Sequence, residues 1–469
     1  MKSYVTTLIV AAGMACIAIA DADAAEPVKA RIDSGTLAGA SLNGVNTFKG
    51  VPFAVPPVGV LRWTAPAKPA AWSGERDATK FSLPCPQPVN TDGTANGGGV
   101  SGLYSEDCLY LNVWAPANAR NAPVMLWLYG GAGFLGAGHL GSYDGSAFAR
   151  DGVIVVTINY RLGSLGYFAH PALTKATPAD QPLSNYALMD AIEALRWVQR
   201  NIANFGGDAS NVTLFGQSAG GAMVLNLFGV PTAQGLFQKA IVESGALLRP
   251  GKTLKEAEAA GKAAAAALGL SGASATIERL RAISSARFVT TEATRRGNTG
   301  VIDGRLVTAS AEQALQSGTA LDVPLIIGTN NGESGAEAAQ TVARLAASGA
   351  PAYLYQFKYV PDWKLPEQPN GAPHSAEIVY VFDSWATSVS GGPQVSAKDR
   401  QVAAKVHSCW VAFAKSVPSA RSLNCADGFN WPAYTPQNDA VAVFGEKPEV
   451  QKSSALPVFV APVPAPAAS

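Results

Sequence analysis

Neither sign of charge dominates this 469-residue chain: 35 Lys and Arg face 34 Asp and Glu, and charged residues make up only 15% of it. A polyanion binder or a membrane-surface protein needs a surplus of one sign, so composition argues against both. Histidine is scarce, with four copies, and so is cysteine, with five. No Cys-x-x-Cys and no closely spaced His pair occurs, which leaves no ligand pattern for a structural metal. No apolar run reaches the ~20 residues a membrane-spanning helix needs without charges or proline. What the chain has instead is apolar material, 48% of its residues, together with 47 Gly and 31 Pro. That excludes disorder and predicts a large core wrapped in many turns and loops. Length alone suggests roughly three units of about 150 residues, but large α/β sheets reach this size as one elaborated domain.

The N-terminus reads as an address. Lys2 supplies a positive start, residues 5–20 are apolar apart from Thr6, Thr7 and small residues, and Ala22-Asp23-Ala24 offers the small-x-small pattern of a signal-peptide cleavage site. Cleavage is expected after Ala24. A lipoprotein reading through Cys16 fits less well, because Gly13 and Met14 suit that motif poorly and the apolar run continues past it. Export to the periplasm or beyond makes the other cysteines, Cys85, Cys108, Cys409 and Cys425, candidates for disulfides. Four cysteines allow three connectivities, and sequence neighbours suggest Cys85 with Cys108 and Cys409 with Cys425.

Several β-branched runs lack polar alternation: 124–129 (VMLWLY), 153–160 (VIVVTINY), 212–215 and 324–328. Strands of a parallel sheet covered on both faces read this way. Between them, residues 185–202 carry Tyr186, Leu188, Met189, Ile192, Leu195, Val198 and Ile202 at helical spacing. The pattern predicts an α/β fold. Residues 254–285 are Ala-rich and helical, an excursion beyond the sheet, and the Pro/Ala-rich stretch 456–469 has no periodicity to pack. The predicted organisation is therefore a leader (1–24), one domain (25–455) and a tail (456–469).

Chemistry concentrates at Gly216-Gln217-Ser218-Ala219-Gly220, which lies between the strand VTLF and the helical run AGGAMVLNLFG. A Gly-x-Ser-x-Gly pattern alone is common by chance; the strand-turn-helix context promotes it, because a nucleophilic serine lifted clear of a sheet needs small neighbours. Such a serine needs a base. His139 lies in a Gly-rich loop, His170 precedes a proline, and His407 sits in a helix-like run. His374, in a loop far downstream, suits the chain order serine, acid, histidine. The acid then falls between them at a strand end, where Glu333 follows PLIIGTNNG, with Asp303 and Asp322 as competitors.

The chain resembles the type-B carboxylesterase/lipase family, the α/β hydrolases that take in bacterial p-nitrobenzyl-type esterases and cholinesterases. The resemblance covers about residues 30–450 and rests on 48–59 (FKGVPFAVPPVG), 72–79 (WSGERDAT), 106–113 (EDCLYLNV), 159–163 (NYRLG), 205–208 (FGGD) leading to the serine turn, and 431–434 (WPAY). It implies an α/β-hydrolase fold with a large, mostly parallel central sheet covered by helices on both faces. It also implies hydrolysis of small-molecule carboxylic esters through an acyl-enzyme, with Ser218, Glu333 and His374 as the triad, no cofactor or metal, and no nucleic-acid partner. By the same resemblance Gly131, Ala132 and Ala219 donate the N–H groups of the oxyanion hole, and Cys85 pairs with Cys108. The chain departs from the family in three places: Gly133 intervenes before Phe134, Gln217 replaces the usual acid before the serine, and only 41 residues separate Glu333 from His374.

Overall fold

A computed structural model describes residues 25–246, 251–297, 299–388, 392 and 394–456. The expected leader, and the tail from 457 onward, lie outside the described residues. Strands β1 (Glu26–Ile32), β2 (Gly35–Leu42) and β3 (Val45–Pro52) form an antiparallel meander. Its second turn is Asn43-Gly44, at φ 51° and 76°. Both residues tolerate that left-handed backbone, whose twist matches a two-residue hairpin.

A short β4 (Glu75–Asp77) pairs beside β2. Strands β5 (Tyr110–Pro116), β6 (Ala122–Leu128), β7 (Ile154–Ile158), β8 (Gly207–Gln217), β9 (Lys239–Glu243), β10 (Leu325–Asn330), β11 (Ala352–Phe357), β12 (Ala440–Phe444) and β13 (Pro448–Lys452) complete a 13-stranded sheet. Its path runs β1-β2-β3-β5-β7-β6-β8-β9-β10-β11-β12-β13. Every pair from β7 to β12 is parallel, and antiparallel pairs close both ends. All residues of β7, β9, β10, β11 and β12 are buried, so both faces of the parallel block are covered, as the apolar runs at 153–160 and 324–328 predict for β7 and β10.

The connections carry helices α1 (Ser146–Arg150), α2 (Tyr186–Asn201), α3 (Ala219–Leu227), α4 (Leu254–Ala267), α5 (Ala336–Ala346), α6 (Ile378–Val381) and α7 (Ala397–Lys415). The Ala-rich excursion begins at α4, whose first turn is fixed by a reciprocal cap: Thr253 accepts from the Glu256 N–H, and the Glu256 carboxylate accepts from the Thr253 N–H. The NYRLG motif also acquires a reason. Arg161 and Asp190 are both buried, meet at 2.7 Å, and tie the segment after β7 to α2. Asp190 accepts from the Arg161 side chain and from its backbone N–H, which offsets the cost of removing both charges from water. Disulfides join Cys85 to Cys108 and Cys409 to Cys425, the pairing that sequence proximity suggests. Among the described residues no helix is long and apolar enough to cross a membrane.

Candidate active site

The C-terminal ends of neighbouring parallel strands converge where an open α/β sheet places its ligands. At the end of β8 the chain turns sharply into α3, and Ser218 stands at the turn with φ 55° and ψ −122°. A β-carbon on Gly220 would lie 1.9 Å from the Leu128 carbonyl oxygen, and one on Gly216 would lie 2.7 Å from the Gly220 carbonyl carbon. Only glycine fits either position, which is the steric reason for the motif's spacing. Two backbone bonds hold the strained serine: its N–H donates to Glu243 O, and its carbonyl accepts from the Ala222 N–H, both at 2.8 Å.

The chain leaves β10 through Asn330-Asn331-Gly332 to Glu333, and this loop clamps the one that carries His374. The Asn330 side chain donates to Pro373 O (2.7 Å), Asn331 Oδ1 accepts from the Ala372 N–H (2.8 Å), and the Gly332 N–H donates to Ala372 O (2.9 Å). The clamp brings His374 Nδ1 into a hydrogen bond with Glu333 Oε2. The other oxygen, Oε1, accepts from Ser244 Oγ at 2.5 Å and from the Asn330 N–H at 2.8 Å, so the carboxylate cannot swing away. Its bond to Nδ1 raises the His374 pKa above the ordinary 6.5, against the opposing effect of burial. His374 Nε2 faces the Gln217 side chain at 3.3 Å.

β6 ends in the loop Tyr129-Gly130-Gly131-Ala132, where Gly131 (φ 103°) and Ala132 (φ 53°) take left-handed backbone. Their N–H groups, and that of Ala219 at the start of α3, donate to no partner among the described residues. Gly133 (φ 75°) anchors the far end, its carbonyl accepting from the Gly163 N–H. A cleft of about 610 Å³ opens over this loop, Gln217 and His374, with its outer walls from Gly97–Ser101 and from Tyr359, Lys364 and Gln368. A separate cavity of about 510 Å³ lies on the other side of Glu333, beside α5.

The remaining sequence candidates fall elsewhere. Asp303 accepts from the N–H groups of Leu183, Arg305, Leu306 and Val307, an organiser of loops. The Asp322 carboxylate lies against Gly349. His170 caps a helix by accepting from the Ala172 N–H, and buried His407 bonds through Nδ1 to Val381 O. His139 lines the cleft. Ser244, Asn330 and Glu377 were not singled out from the sequence, although Asn330 and Glu377 each lie three residues from a candidate and Ser244 directly follows β9. Among the described residues no group of His, Cys, Asp and Glu is placed to hold a metal ion.

Comparison with known proteins gives the family. A model of the carboxylesterase family matches residues 26–345 and again 335–457. The chain belongs to the carboxylesterase family. It is 33% identical to the para-nitrobenzyl esterase of Bacillus subtilis, a match spanning 85% of this chain and 91% of that one. It is 40% identical over 292 residues to the fumonisin B1 esterase of Sphingopyxis macrogoltabida, but that match spans 62% of this chain and only 53% of the relative. A solved PNB esterase superposes with a TM-score of 0.79 at 29% identity, covering 91% of this chain and 97% of that one. The α/β-hydrolase fold of this carboxylesterase-family protein is thus shared over nearly its whole described length.

Proposed function

We propose that this member of the carboxylesterase family, a carboxylic-ester hydrolase, is an exported serine esterase that works through Ser218, His374 and Glu333. Ser218 Oγ attacks the ester carbonyl as its proton passes to His374 Nε2. The imidazolium so formed is supported through Nδ1 by Glu333, and it returns the proton to the departing alcohol. Water then repeats the sequence on the acyl-enzyme and releases the acid. The N–H groups of Gly131, Ala132 and Ala219 receive the oxyanion, a role in which a single donor is typically worth about 3 kcal/mol of barrier. The observation that carries the reading is the clamped Glu333–His374 pair, whose Nε2 meets Gln217, the residue directly before a serine held at positive φ. The relatives' names cite different esters, so what they share with this chain is the bond cleaved. The two disulfides support export.

Covalent labelling by a fluorophosphonate, read by mass spectrometry, tests the assignment. Ser218→Ala should abolish labelling and cut turnover of an activated ester by more than about 10⁴-fold while the fold persists. His374→Ala should follow it, whereas His170→Ala and His407→Ala, if folded, should still label. Burst kinetics surviving in Ser218→Ala would remove the serine from the mechanism.

A further inference from the structure

Gln217 stands where the family resemblance leads one to expect an acid, and its position shows what it does instead. The side chain is buried between the oxyanion loop and the candidate base. Its Oε1 lies on Gly130, where a β-carbon would come within 2.8 Å of it. Its amide nitrogen lies 3.3 Å from His374 Nε2. An amide nitrogen can only donate, so Nε2 must offer its lone pair, and the imidazole proton must sit on Nδ1 facing Glu333. The Nδ1–Glu333 bond requires the same tautomer, so the two contacts agree.

We propose that Gln217 is a positioning residue whose amide N–H holds the Nε2 lone pair of neutral His374 in the free enzyme, in a slot where a carboxylate would hold the imidazolium. The inference rests on His374 being the base. The charged and titratable groups around the ring fall on two sides. Beyond Nδ1 stand Glu333 and, behind it, the buried Glu377, Glu243 and Tyr355. On the Nε2 side the cleft is lined by Lys364, His139, Tyr143, Tyr359 and Tyr380, with no Asp or Glu among the described residues. Protonation at Nε2 therefore meets an amide hydrogen rather than a counter-charge. When Ser218 passes its proton to Nε2, the amide must give up its hold, and a half-turn of the side chain can then present Oε1 to the new N–H. A glutamate in the same slot would accept from the imidazolium at once and repel the lone pair of the neutral ring.

Wild type, Gln217→Glu and Gln217→Met are compared by the pH dependence of kcat/KM for an activated aryl ester and of the fluorophosphonate inactivation rate. Gln217→Glu should move the acidic midpoint of both profiles upward by about 1–2 pH units, the usual effect of an opposite charge at this range. Gln217→Met should move it up by less. A purely structural role would lower rates without moving the midpoint, so an active Gln217→Glu enzyme whose profile superimposes on wild type overturns the proposal. Ring ¹⁵N shifts of the wild-type protein, which has only four histidines to assign, give a readout independent of any variant. Neutral His374 should carry its proton on Nδ1, and an Nε2–H tautomer would overturn the proposal even if both variants failed to fold. If wild type neither labels nor turns over, it is the esterase reading that fails, and the ¹⁵N result still judges the Gln217 contact.

Discussion

Glu377 shows how a single side chain near the proposed base ties stability to pH. It is buried, accepts from Asn330 Nδ2 at 2.5 Å, and lies 3.4 Å from Ser244 Oγ. Burial, with Glu333 adding to it, pushes its carboxyl up to about 7 from an ordinary 4.5. Glu243 is likewise held well above the ordinary range by burial, although Trp410 Nε1 donates to it at 2.7 Å. A carboxyl that ionises at 4.5 when unfolded but near 7 when folded binds more protons in the folded state between those values. Its contribution is therefore intact below about 4.5, declines as pH rises to about 7, and stays lost above. Glu377→Gln removes that decline. Relative to wild type it should gain stability between pH 4.5 and pH 8, by on the order of 3 kcal/mol at most, in urea melts at the two pH values. A difference that does not change with pH would mean that Glu377 ionises normally. His374 adds a slope of the same sign, since its raised pKa gives stability that is complete below about 6.5 and lost as pH climbs through the folded value. This residue-level wiring was the least legible part of the sequence. The proposed triad, Ser218, Glu333 and His374, is drawn from a motif, a strand end and chain order, whereas Ser244, Asn330 and Glu377 come from two strand ends and the turn before α6 and only share a neighbourhood after folding.

At the level of elements, the turn from β8 into α3 depends on how closely α3 approaches the end of β6. Gly220 makes that approach possible, since a methyl there would meet the Leu128 carbonyl. Leu128 is also the last residue before the loop proposed to bind the oxyanion, so pushing the two apart disturbs strand, helix and the proposed oxyanion donors together. Gly220→Ala should therefore lower stability by roughly 1–3 kcal/mol, the range for overpacking, and reduce kcat even at temperatures where the protein stays folded. Thermal melts and turnover on one preparation check it; unchanged turnover would show that the loop tolerates the shift. The same tight packing explains why these elements could be read in advance. Strands covered on both faces lose their polar alternation, and glycines pinned by sterics recur at fixed spacing. Where neither constraint acts the reading was coarser. β8 begins at Gly207, ahead of the predicted 212, because its first residues, Asp208 to Asn211, are half-buried or exposed and mostly polar. The order of strands across the sheet has no local signature at all.

For the whole molecule, the short connection between Glu333 and His374 decides how open the site is. The chain passes from β10 through α5 and β11, lines the cleft with Tyr359, Pro361, Lys364 and Gln368, and reaches His374, whose side chain remains 46% exposed. The described residues of the excursion that begins at α4 offer no second cover on this side. The excursion packs along the proposed oxyanion loop instead, with Arg295 O beside Gly163, Thr299 against Gly133 and the Arg296 guanidinium 4.7 Å over Phe134. None of its described residues lines the cleft. A volume of about 610 Å³ falls within the range that holds a drug-sized molecule, and the proposed base that lines it keeps nearly half of its side chain exposed. Bulk on the departing alcohol should therefore meet little wall. With the acyl group fixed and the alcohol enlarged from ethyl through benzyl to a polycyclic alcohol, kcat/KM should change by less than about tenfold, a penalty near 1.4 kcal/mol. A fall of several hundredfold across that series would mean that the Tyr359–Gln368 segment closes over the substrate, or that a second subunit completes the wall. Repeating the series across a range of protein concentrations separates these two cases, because only the second depends on assembly.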